Sequence, residues 1–237
     1  MRVDVAYLPS QLSAEQLADH TVVVFDVLRA TTSMVSALAN GTSEIRVFDS
    51  IESAQSVARG FAGAKLLCGE SQCVRPEGFD LGNSPADYSP QRVLGKTLFM
   101  STTNGTRAIV AARSAAEIYI AALVNASAMA RKLEGASRDV TMLCAGTDGA
   151  YSMEDDIGAG AVIDRMTNFE RSDPAQRSVE LFNRVRSDLA AVFRDVPGGK
   201  HVMAAGLETD IDFAAQADVF DVVGQVLLDP LRVVQAD

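Results

Sequence analysis

The stretch Val22-Val23-Val24-Phe25-Asp26-Val27-Leu28-Arg29-Ala30-Thr31-Thr32 decides how this chain is read. A run of valines and a phenylalanine favours an extended strand. Asp26 ends the run, and a short polar loop leads into Thr32–Asn40, a helix stopped by Gly41. A hydrophobic strand that passes through a loop into a helix is the unit of an α/β layered fold. Two later stretches share the design: Leu98-Phe99-Met100-Ser101-Thr102-Thr103-Asn104-Gly105-Thr106-Arg107 and Met142-Leu143-Cys144-Ala145-Gly146-Thr147-Asp148-Gly149. In open α/β sheets the loops at the strand carboxyl ends lie on one edge, and ligands bind there.

Working outward, strands are expected at Arg2–Tyr7, Thr21–Asp26, Glu44–Phe48, Lys65–Cys68, Thr97–Met100, Glu117–Ile120 and Asp139–Cys144. Helices fill the crossovers: one capped by Ser50 and running to Arg59, then Asn104–Ala112 and Ser127–Leu133. Crossovers of that length imply parallel neighbours in a mostly parallel or mixed sheet. Beyond Met153 the pattern turns mainly helical, with Glu154–Phe169, Ala175–Phe193, Val202–Ala205 and Glu208–Gln216. Val196-Pro197-Gly198-Gly199 reads as a turn, and Val219–Leu228 as one or two edge strands. With no repeat or linker, residues 1–237 are expected to form one domain.

Composition narrows the chemistry. The 237 residues are 48% hydrophobic, enough for a full core. Apolar runs are far shorter than a membrane span, and the first residues lack a signal-peptide profile, so a cytoplasmic protein is expected. Cys68, Cys73 and Cys144 are read as free thiols, and none has an arginine at the sixth following position, as cysteine phosphatases require. The histidines, His20 and His201, occupy neither an HExxH nor an Arg-His-Gly setting, which removes zinc proteases and histidine phosphatases. Any metal site must then be built from oxygen, which suits Mg²⁺, Mn²⁺ or Ca²⁺. The net charge of −10 disfavours nucleic acid and anionic membranes as partners.

Candidate site residues cluster at the strand ends. Asp26 leaves the core beside Arg29, Thr31 and Thr32, as a functional acid, a helix cap or half of an ion pair. Ser101, Thr102, Thr103, Asn104, Gly105 and Thr106, with Arg107 behind them, supply hydroxyls and a helix start. That loop reads equally as a phosphate cradle or as a capped helix. Glu154 and Asp155 open a helix, where acids ordinarily complement the dipole, but together with Glu70 they would meet Asp26 at one sheet edge, where such a set can hold a hard cation. In the long loop Gly78-Phe79-Asp80-Leu81-Gly82-Asn83-Ser84-Pro85, Asn83 and Ser84 either face a ligand or make the turn.

Taken together, these segments resemble the 2-phosphosulfolactate phosphatase family. The motifs that carry the resemblance are Asp26–Thr32, Gly69-Glu70, Gly78–Pro85, Thr102–Thr106, Cys144-Ala145-Gly146, Ser152-Met153-Glu154-Asp155 and Gly206–Asp212, in order from Val22 to about Val223. The resemblance implies a three-layer α/β/α fold, a Mg²⁺ requirement, and hydrolysis of 2-phospho-3-sulfolactate to 3-sulfolactate and phosphate in coenzyme M biosynthesis. One departure stands out: Ser71 follows Glu70 where the family pattern usually has arginine, and Arg75 is the candidate replacement. The expected chemistry uses Mg²⁺ on Asp26 with Glu154, Asp155 or Glu70, and Arg29 on the phosphate of a small anionic substrate. Attack by water and attack by Asp26 are both open, although Leu28 replaces the second acid of an Asp-x-Asp phosphatase. A homodimer is the base-rate expectation, with the Ala-rich C-terminal helices as its candidate interface.

Overall fold

The computed structural model describes residues 1–236. Strands β1 (Arg2–Ala6), β2 (Thr21–Phe25), β3 (Glu44–Phe48), β4 (Lys65–Gly69), β5 (Thr97–Ser101), β6 (Glu117–Ala121) and β7 (Val140–Cys144) form where the apolar runs place them. Between them lie helices α1 (Ala14–Leu17), α2 (Ala30–Ala39), α3 (Ile51–Gly60), α4 (Pro90–Val93), α5 (Gly105–Ala111) and α6 (Ala126–Leu133). The Ser50 hydroxyl caps α3 by accepting from the Ser53 amide at 3.2 Å. Then follow α7 (Met153–Asp164), β8 (Glu170–Arg171), α8 (Asp173–Val185), α9 (Leu189–Asp195), α10 (Pro197–Ala204), α11 (Glu208–Ala214), β9 (Gly224–Leu228) and β10 (Leu231–Gln235).

Among the described residues the strands make one sheet in the order β4-β5-β3-β10-β9-β6-β2-β7-β1-β8. Both wings are parallel, and the β9–β10 hairpin joins them antiparallel to β6 and β3. Helices cover both faces. Val24 pairs with Ile120 on one face, where Ile120 and Leu38 of α2 crowd Gly224. Phe25, one residue on and so on the opposite face, packs against Gly158 of α7. Every residue of β2 is buried, as a strand covered on both sides must be.

Four expectations change. The C-terminal strands are central, not at an edge, because Gly224 lets the hairpin press against Ile120. Pro197-Gly198-Gly199 opens α10 and is not a turn; Pro197 stands in the first turn, where a missing N–H costs nothing. Ala175–Phe193 is two helices, because Asp188 caps a new start by accepting from the Ala191 amide. The helix expected at Glu154–Phe169 ends at Asp164.

The sheet brings distant loops together by curling. Five inter-strand steps separate β5 from β2, roughly 24 Å if flat. The four residues from Ser101 to Gly105 reach at most about 14 Å. Yet a Cβ on Gly105 would stand 2.7 Å from Asp26 Oδ2, and α5 packs against both β3 and β2. Twist and curl close the difference.

Candidate active site

The carboxyl ends of β2, β4, β5 and β7 open into a cleft of about 480 Å³, within the range of small-molecule sites. Asp26, Arg29, Glu70, Cys73, Asn83, Thr103, Asn104, Thr147, Asp148, Gly198 and His201 are among its lining residues.

At the end of β2, Asp26 Oδ1 accepts from the Ala30 amide at 3.0 Å, starting α2. The Thr31 hydroxyl clasps the Asp26 backbone, and the Thr32 hydroxyl donates to the Val27 carbonyl at 2.8 Å. Both threonines are wholly buried, so they hold the loop in shape and do not line the cleft. Burial pushes the Asp26 carboxyl up to about 7; the Ala30 amide opposes this, Glu70 and Glu154 add to it, and Arg29 opposes it. Arg29 lines the cleft, but its Nη1 donates to Asp210 Oδ2 at 2.6 Å and its Nη2 to the Cys73 carbonyl at 3.4 Å. Asp210 Oδ1 accepts from the Ser84 hydroxyl at 2.6 Å.

The expected phosphate cradle divides. Glu70 Oε1 accepts from the Thr103 amide at 2.7 Å, and Oε2 accepts from the Cys73 amide at 2.8 Å and the Thr103 hydroxyl at 3.1 Å. The chain's own carboxylate thus takes the amide that the loop offers an anion. Thr102 and Thr106 exchange hydroxyl and amide bonds that cap α5. Ser101 is buried and its carbonyl accepts from the Glu70 amide. Gly105 is pressed onto Asp26, and Arg107 is exposed outside the cleft. Thr103 and Asn104 are the members that face the cavity. Arg75 is exposed, donates to the Asp80 carbonyl at 3.3 Å, and does not line the cavity.

The start of α7 brings the remaining acids. Asp155 spans the ends of β2 and β7, accepting from the Val27 amide at 2.8 Å and the Gly146 amide at 3.1 Å. Burial above all, with the charges of Asp26 and Glu154, holds its carboxyl well above the usual range. Glu154 lies behind the Gly198 and Thr147 wall. Among the described residues its buried Oε2 has no hydrogen-bond partner, and neither has Asn83 Oδ1 in the cleft. Burial raises the Glu154 carboxyl as well, against hydrogen bonds in its own turn and the charge of His201.

Two comparisons bear on this site. A family model described as 2-phosphosulpholactate phosphatase matches residues 6–227. The chain belongs to the 2-phosphosulfolactate phosphatase family. A probable 2-phosphosulfolactate phosphatase of Symbiobacterium thermophilum is 39% identical over 225 residues, covering 91% of this chain and 97% of that protein. Another, from Caldanaerobacter subterraneus subsp. tengcongensis, is 35% identical over 218 residues, covering 90% of each. A third, from Thermotoga petrophila, is 37% identical over 203 residues, covering 86% of this chain and 87% of its own.

The resemblance to the 2-phosphosulfolactate phosphatase family implies a magnesium ion, and the donors fit one. Among the described residues no three Asp, Glu, His or Cys side chains form a ready-made cage. Mg²⁺ does not need one: it binds through one or two carboxylates, water and substrate phosphate. Asp26 uses one oxygen on Ala30, Glu154 keeps an orphaned one, and both repel each other's charge, so a cation would relieve both. Sequence reasoning did not single out Gly198 and His201 for the site; Asp210 falls within the Gly206–Asp212 motif, and Thr147 and Asp148 within the β7 loop, without being named as site residues. For α10 a signal existed: Gly198, His201, Ala204 and Ala205 recur at helical spacing and all line the cleft.

Proposed function

We propose that this chain is a Mg²⁺-dependent phosphatase that hydrolyses 2-phospho-3-sulfolactate to 3-sulfolactate and phosphate. The observation that carries the reading is that Asp26 and Arg29 line one cleft, while Glu154, whose Oε2 has no hydrogen-bond partner among the described residues, lies directly behind its Gly198 wall. Asp26 and Glu154 would hold the ion, which when bound supplies Lewis-acid polarisation of the phosphoryl group. Asp155 fixes the Val27 and Gly146 amides, so it sets where Asp26 points. Arg29, oriented by Asp210, takes a phosphate oxygen. Water forms the new bond to phosphorus; the bond to the substrate's C2 oxygen breaks, its electron pair stays on that oxygen, and a proton completes the alcohol. Water is favoured as nucleophile because Leu28 stands where an Asp-x-Asp phosphatase carries its second acid, so a phosphorylated Asp26 would lack that general acid.

Phosphate release from synthetic 2-phospho-3-sulfolactate, with Mg²⁺ and with chelator, tests the reading. Turnover that needs Mg²⁺ and is lost in Asp26→Asn supports it; wild-type rates in Asp26→Asn remove Asp26 from the mechanism. A second reading, a different phosphorylated hydroxy acid, draws on Ser71 and on the placement of Arg75 outside the cleft. A panel of such acids in the same assay separates the two.

A further inference from the structure

One wall of the cleft is helix α10, laid lengthwise along it. Gly198, His201, Ala204 and Ala205 follow one another on a single helical face, and all of them line the cavity. The glycine and alanines leave room, and the imidazole is the only polar side chain among them. Gly198 must be small, since a Cβ there would stand 2.2 Å from Glu154 Oε1. His201 is exposed, and among the described residues no hydrogen bond ties up its ring.

The charge inventory shows what that ring is suited to. Among the described residues that line the cleft, Arg29 and His201 are the side chains able to carry positive charge, and Arg29 is already matched by Asp210. Asp26, Glu70 and Asp148 line the same cavity and repel an acid group brought in beside the phosphate. A substrate with an acid tail therefore needs a donor apart from the phosphate-holding groups. A histidine ring carries at least one N–H donor in either protonation state.

Building on the phosphatase reading above, we propose that His201 is a specificity residue: its ring N–H donates to an acid group in the substrate's tail, selecting acid-bearing phosphate esters over neutral ones. The test compares the wild type with His201→Ala and His201→Gln on 2-phospho-3-sulfolactate, 2-phospholactate and p-nitrophenyl phosphate, with thermal melts to verify folding. The expected result is a fall on the order of ten- to a hundredfold in the kcat/KM ratio of either acid ester to p-nitrophenyl phosphate in His201→Ala, the scale of a lost charged hydrogen bond. His201→Gln, which keeps an N–H, should recover part of the ratio. An unchanged ratio in His201→Ala overturns the proposal. Wild-type protein that hydrolyses none of the three with Mg²⁺ overturns the phosphatase reading instead. Calorimetry with 3-sulfolactate then still reads His201, and equal affinity in wild type and His201→Ala counts against it.

Discussion

Arg29 reaches the cleft with its charge balanced from behind by Asp210, and both side chains are almost wholly buried. A guanidinium so placed is held in one direction, which is what recognition of a phosphate oxygen needs. Removing one member of a buried pair strands the other, at about 3–5 kcal/mol. Asp210→Asn should therefore lower stability by about 3 kcal/mol in urea unfolding and cut kcat at least tenfold, with Asp210→Glu intermediate in both. If kcat is unchanged in a folded Asp210→Asn protein, Asp210 has no positioning role. The pair was not legible in the sequence, because 181 positions separate its members. Asp26 and Glu70 were legible, since a polar group closing an apolar run has to emerge near the ligand edge; Arg29 follows in the β2 loop, and Asn83 lies in a long loop that reads equally as a turn. Thr31, Thr32, Thr102 and Thr106 looked like ligand donors. Their spacing of four or five residues from a backbone partner lets each hydroxyl bond locally instead.

At the scale of elements, the acids of α7 are positioned by how closely that helix meets α8. A Cβ on Gly160 would stand 2.1 Å from the Ser178 carbonyl and 3.1 Å from Phe182 Cβ, so the helices touch through backbone at this point. Alanine is the better helix former by about 1 kcal/mol, but overpacking costs about 1–3 kcal/mol and backbone cannot rotate away. Gly160→Ala should lower the melting temperature and reduce turnover together, because α7 also carries Glu154 and Asp155; a raised melting temperature would show that the contact relaxes freely. Strands β1 to β7 were legible from composition, as their apolar runs leave one reasonable state. The place of β9 and β10 was not: a strand's pattern reports burial, and β9 pairs with β6, about a hundred residues earlier. Pro197-Gly198-Gly199 reads as a turn locally, yet the glycines serve tertiary contact, since a Cβ on Gly199 would stand 1.7 Å from the Phe193 carbonyl.

Over the whole molecule, a chain of net charge −10 has gathered Asp26, Glu154 and Asp155 in its interior beside one cleft. Folding raises all three carboxyls, Asp26 to about 7, chiefly by taking them out of water. In the unfolded chain an Asp or Glu loses its proton near pH 4. Between that value and about 7 the folded state binds more protons than the unfolded one, so stability is fully present at the acid end and falls as pH rises. Glu134 and Asp218 are shifted the other way, and their contribution fades only as pH drops below the ordinary carboxylate range. In chelator the melting temperature should therefore fall by several degrees from pH 5 to pH 8, at roughly 2–4 °C per kcal/mol for a chain of this size. A divalent ion replaces the missing protons as counter-charge, so Mg²⁺ should raise the melting temperature more at pH 8 than at pH 5. Asp26→Asn should flatten the pH dependence and weaken the Mg²⁺ response. Scanning calorimetry across that range decides the matter: a melting temperature independent of pH in chelator, or a Mg²⁺ shift equal at both ends, would mean that the buried acids are not the reservoir of repulsion that a cation relieves.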